Sequence, residues 1–180
     1  MPVTSSDRPT ASSAAFPTAR SRWSSQAPCR PPAATLVAAT LISMVALGSL
    51  VLLGQLSGHL LLVPPMAASM ALMAGVPHLP LAQPRSVIGG QVVSAALGVG
   101  MGLVSHSVWA AAIAGGMAIG ATMLLRMPHS PAAATAVIGT MSTTGQVSFV
   151  VCVGIAACVL VGFGILGSKL RGSTYPTYWI

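Results

Sequence analysis

The chain has 180 residues, 54% of them hydrophobic and 5% charged. A soluble domain carries about 25% charged residues, so this chain lacks the groups to clothe a water-facing surface. Eight Lys and Arg stand against one acid, Asp7, for a net charge of +7. With no carboxylate in the apolar part, paired-carboxylate acid–base chemistry is absent there, which counts against most hydrolytic mechanisms, and no enzymatic activity is expected. Nucleic acid is not an expected partner either. The basic residues lie outside or at the ends of apolar segments, where their commoner role is to set membrane topology.

Residues 1–33 are rich in Ser, Pro, Ala and Arg, which reads as a disordered basic cytoplasmic leader. The same Arg/Ser-rich, acid-poor composition also fits an organellar transit peptide.

Six apolar segments follow, over residues 33–56, 59–76, 86–104, 108–125, 129–141 and 147–167. Four have roughly the 20 residues that a tilted helix needs to span about 30 Å of hydrocarbon. The second is interrupted by Pro64 and Pro65, and the fifth is short and opens on His129, Ser130 and Pro131. Charge decides between four crossings and six. With six, the leader, Arg85, Arg126, Lys169 and Arg171 all fall on one side, and the loops near Ser57, Ser105 and Thr143 carry no cation. The predicted fold is therefore all-α, a polytopic membrane helix bundle. Its membrane domain spans residues 34–172, and residues 173–180 form a cytoplasmic interfacial tail.

The two broken segments resemble each other. Pro65-Met66-Ala67-Ala68-Ser69-Met70-Ala71-Leu72 matches Pro131-Ala132-Ala133-Ala134-Thr135-Ala136-Val137-Ile138 at an offset of 66 residues, from 65 to 131. The same shift carries the first segment onto the fourth and roughly the third onto the sixth. Three crossings per repeat make the halves inverted, a plan in which paired Pro-interrupted segments mark the binding site. Helices of about 18 Å starting at Pro65 and Pro131 would reach from one face to near the midplane. Residues 60–64 and 127–130 would be extended backbone before them. Both helix N-termini would face each other with unpaired N–H groups, an anion site made without basic side chains. The candidate binding residues are Pro65, Ala67, Ala68, Ser69, His129, Ser130, Pro131, Ala132, Ala133 and Thr135. Close helix packing is the competing account of the Pro-Ala-Ala pattern. His129 either couples a proton to the substrate or orients the broken backbone.

Gly98/Gly102 and Gly116/Gly120 form small-xxx-small pairs that let backbones approach closely. Trp109, Tyr175, Tyr178 and Trp179 read as interfacial belt residues, and His59, His78 and His106 lie near segment ends. Cys29, Cys152 and Cys158 read as small buried apolar side chains, and the ten methionines as dispersed packing. Neither set suggests a metal site, and no cofactor is expected.

Pro80-Leu81-Ala82-Gln83-Pro84-Arg85-Ser86-Val87-Ile88-Gly89-Gly90-Gln91 resembles the most recognisable stretch of the HPP family of membrane proteins. His129-Ser130-Pro131 matches the family's naming His-Pro-Pro motif, and Tyr175-Pro176-Thr177-Tyr178-Trp179 resembles its C-terminal signature. Two departures stand out. Ser130 replaces the middle proline, and Gln91 stands where a histidine is expected. Family descriptions give four transmembrane helices, whereas the charges here favour six. Some members are implicated in nitrite transport in cyanobacteria and chloroplasts, so the resemblance implies a small anion as cargo. The expected function is thus a membrane transporter or channel for nitrite or a similar oxyanion, with a non-transporting scaffold or sensor subunit as the alternative. Lipid and a small anion are the expected partners, with a homo-oligomer left open. A bacterial inner (plasma) membrane with cytoplasmic termini is the expected location, or an organellar membrane if the leader is a transit peptide.

Overall fold

The computed structural model describes residues 29–179. Asp7, Arg8, Arg20, Arg22 and most of the predicted leader lie outside the described residues. Six α-helices run in chain order, and no strand occurs among the described residues. They are α1 (Ala33–Ser57), α2 (Pro64–Gly75), α3 (Gly90–Gly102), α4 (Val108–Leu124), α5 (Pro131–Met141) and α6 (Gln146–Leu170). A 3-10 turn, Pro80–Ala82, and a π-helical turn, Arg85–Gly89, lead into α3. Neither turn is expected from the sequence. The π turn runs on into α3, so the helical stretch covers residues 85–102.

Helix ends follow local chemistry. Gly58 adopts φ 70°, which stops α1, and the His59 N–H donates to Gly54 O at 3.1 Å. Ser107 caps α4 by accepting from the Ala110 N–H at 3.2 Å. Arg126 takes φ 58° after α4, and the Met127 N–H reaches Thr122 O at 2.8 Å. That six-to-one bond satisfies a last-turn carbonyl. α2 and α5 both carry proline in their first turn, where the missing N–H is not needed.

α3 packs against α4, α5 and α6, while α1 and α2 pack against each other and against α6. The closest approach is between α3 and α5. A Cβ on Gly98 would collide with the backbone of Ala136, and Thr140 Oγ1 donates to Gly98 O at 3.0 Å. Gly102 faces Thr140 O. The pair Gly116/Gly120 does not work this way. Both are exposed with no neighbour, and α4 instead buries Ala111, Ala114, Gly115 and Ala118.

The exterior is apolar and the interior holds the polar groups. Leu41, Met44, Val45 and Leu56 of α1 and Trp109, Ile113, Met117 and Leu124 of α4 face outward. Ser69, Gln83, Gln91, Ser94, His129 and Thr135 are buried. Lipid solvates such an exterior, whereas water would not. Among the described residues, α1 and α6 are the two helices with the length and apolarity of a full membrane span. The chain is an integral membrane protein.

Three sequence expectations need correction. No described cysteine is buried: Cys152 is half-buried, and Cys29 and Cys158 are exposed, Cys158 on an outward face of α6. Tyr175 is no belt residue. Its ring is buried, its hydroxyl donates to Ala82 O at 2.8 Å, and burial pushes the phenol up. His106 is more than an interfacial group, because its Nδ1 lies 2.7 Å from Thr140 O near the end of α5.

Candidate functional site

The half-length helices start within a residue of the predicted positions, and they contact each other. Val63, just before α2, is extended at φ −114° and ψ 154°. They do not meet tip to tip. His129, before the first turn of α5, is hydrogen-bonded to Ser69, well inside α2. Val63 in turn lines a pocket with Ile138 and Ser142 near the far end of α5. α2 and α5 therefore pack side by side, with the residues just before α5 against the middle of α2.

This packing alters the expected anion site. Pro64, Pro65 and Pro131 have no N–H to offer. The Met66 N–H donates to Val63 O at 2.8 Å, Ala132 to His129 O at 3.1 Å and Ala133 to Ser130 O at 3.3 Å. First-turn donors that the sequence suggests are unpaired are thus largely satisfied by tight local bonds.

Side chains take their place. Thr135 Oγ1 donates to Gln91 Oε1. Gln91 Nε2 donates to Ser69 Oγ at 2.9 Å, and Ser69 Oγ lies 2.8 Å from both His129 Nε2 and Pro65 O. His129 Nδ1 lies 2.7 Å from Leu81 O. A carbonyl only accepts, so Nδ1 carries the proton of the neutral ring and Nε2 accepts from Ser69. The donors then point one way, from Thr135 through Gln91, Ser69 and His129 to Leu81. The chain joins α2, α3, α5 and the turn before α3 in the lipid-shielded interior, where unmade hydrogen bonds are most costly.

Of the ten candidate residues, the fold gathers Ser69, His129 and Thr135 into this network. Pro65 contributes its carbonyl, and Pro131 and Ala132 are buried at the start of α5. Ala133 is half-buried. Ala67, Ala68 and Ser130 are exposed and turn away from it. The residues missed are Gln91 and Ser94. Gln91 stands out in the sequence only as a departure from the family pattern. Ser94 lies one turn further along α3, fully buried, its hydroxyl without a hydrogen-bond partner.

The turn that presents Leu81 is held by the tail. Gln83 Nε2 donates to Pro77 O at 2.8 Å and Leu79 O at 3.1 Å, and Gln83 Oε1 accepts from the Thr177 N–H at 2.9 Å. With the Tyr175 bond to Ala82, residues 175–177 strap the segment that orients His129.

Two open pockets lie near the segments that precede α2 and α5. One, of about 600 Å³, is lined by Pro80, Arg85, Met123, Arg126, Pro128 and Tyr178. The other, of about 370 Å³, includes Leu60, Val63, Ser142, Thr144 and Ser148. The first includes Pro128, before α5, and the second Leu60 and Val63, before α2; Ser130, expected to be extended, is instead helical at φ −61° and ψ −37°.

The model of the family described as HPP, transmembrane region, matches residues 28–176. No curated protein and no solved structure matches the chain. The match takes in α1 through α6, the Pro80–Ala82 turn and most of the strap, so this chain belongs to the HPP family of membrane proteins.

Proposed function

We propose that the protein is a transporter or channel for a small inorganic anion, nitrite or a similar oxyanion. The reading rests on one observation, the buried hydroxyl–amide–imidazole network where the two half-length helices pack together. Ser69, Gln91, Thr135 and His129 are neutral groups that can donate to an oxyanion without placing a net charge in the bilayer. Ser94 adds a buried hydroxyl that is not spent on the protein. In the present arrangement the donors bind one another. An entering anion would exchange these internal bonds for bonds to itself, so part of its binding energy would go into opening the network.

In this reading the six helices form two inverted three-helix halves and all six segments cross, with both termini on the cytoplasmic side. The coincidence of α2 with α5 at the 66-residue offset supports it, since residues 64–75 map onto 130–141. Such halves rocking about the α2–α5 contact would open one pocket and then the other.

A second reading, a non-transporting scaffold or sensor subunit, is favoured by the near-complete internal satisfaction of the network. Flux separates the two. Purified protein in liposomes is expected to move nitrite, nitrate or formate down a gradient faster than protein-free liposomes. Wild-type rates equal to the empty control for all these anions and chloride would sink the transport reading and leave the scaffold.

A further inference from the structure

Two arginines, Arg85 and Arg126, line one open pocket at the basic end of the bundle. Arg85, half-buried at the start of the π turn, reaches across to the end of α4, where its Nη2 donates to Leu125 O at 3.2 Å. Its Nε is buried and has no hydrogen-bond partner. Arg126, the next residue after Leu125, is exposed and holds φ 58°. Pro80 and Pro128 form stiff walls, and Tyr178 brings a phenol to the rim.

Two like charges in one hollow repel each other unless something offsets them. No Asp or Glu is found among the described residues, since the one acid of the chain, Asp7, lies outside them. Arg171 at the same end is spent on Gly167 O and Ala74 O, both at 3.1 Å, and Lys169 does not line the pocket. Paired planar guanidinium groups suit the tetrahedral, multiply accepting oxygens of phosphate. The aromatic residues Tyr178 and Trp179 are partly exposed at this end, as at the headgroup level of a bilayer.

We propose that the Arg85–Arg126 pocket binds one phosphate-class oxyanion, either the headgroup of an anionic phospholipid or free phosphate. The site is distinct from the Ser69–Gln91–Thr135 network and requires no transport. A protein that moves no anion can still have it, and one that moves anions can lack it.

The test uses full-length protein in nanodiscs of phosphatidylcholine alone or of phosphatidylcholine and phosphatidylglycerol in equal parts. Native mass spectrometry reads retained phosphatidylglycerol, and calorimetry reads titrated inorganic phosphate in the phosphatidylcholine discs. Wild type is expected to retain the lipid or to bind phosphate, and which of these occurs identifies the source. R126Q is expected to weaken that binding by about tenfold or more. K169Q removes the same charge at the same end outside the pocket, and should change binding by less than about twofold. R85K, which keeps a donor for Leu125 O, should weaken binding while leaving thermal stability near wild type. Equal loss in R126Q and K169Q would reduce the effect to general surface potential and overturn the proposal. So would wild-type protein that takes up neither ligand.

Discussion

Ser69 and Thr135, at matching positions of the two half-length helices, are hydrogen-bonded to opposite ends of the Gln91 amide. One side chain with both a donor and an acceptor thus bridges two hydroxyls 66 residues apart. Histidine at position 91 could also bridge them, donating from one ring nitrogen and accepting at the other. Leucine could not. Gln91→Leu should therefore leave the Thr135 hydroxyl without its acceptor and Ser69 without its amide donor, and destabilise the folded protein by about 1–3 kcal/mol. Gln91→His should retain most of that stability. Thermal unfolding in detergent measures both, and a leucine variant as stable as wild type would show the bridge to be idle.

The crossing of α3 and α5 predicts a contrast between glycines. Gly98→Ala places a methyl against the Ala136 backbone and should lower stability by about 1–3 kcal/mol. Gly116→Ala meets no neighbour and should change it by less than about 0.5 kcal/mol. Size-exclusion profiles after a heat challenge compare the two. Equal loss would mean that the α4 face is covered by a partner chain.

The strap predicts an effect at a distance. Tyr175→Phe removes the hydroxyl that donates to Ala82 O, at about 0.5–1.5 kcal/mol. Hydrogen exchange should rise over residues 79–83, and the His129–Leu81 contact should loosen with them. Unchanged exchange there would show that the tail does not hold the turn.

Six crossings predict a labelling pattern. In a chain cleared of Cys29, Cys152 and Cys158, single cysteines at Ser57, Ser105 and Thr143 should react with an impermeant maleimide in intact cells. A cysteine at Arg126 should react only after lysis. Labelling of position 126 in intact cells would favour four crossings.

Proline made the starts of the two short helices readable. Pro64, Pro65 and Pro131 mark helix starts from any context, and α2 and α5 begin within a residue of the expected positions. Which face of each helix points inward was not readable, because helices apolar on every side have no stripe to set rotation. Gly116 and Gly120 match the small-xxx-small pattern as well as Gly98 and Gly102, yet α4 turns Gly115 inward instead. For the same reason Ala67 and Ala68 share a motif with Ser69 and still face outward. Gln91, Gln83 and Tyr175 acquire their roles from partners far along the chain, which local pattern does not record.

The one-way order of donors through Ser69 has a consequence for protons. If His129 gains one, Nε2 becomes a donor and Ser69 Oγ must accept from it. The hydroxyl can then turn its own hydrogen to Pro65 O, already 2.8 Å away, while still accepting from Gln91. Every bond in the chain keeps a donor and an acceptor in either charge state. Serine at position 69 thus acts as a swivel, so an added charge at His129 reverses one hydroxyl without unlinking α2 from α5.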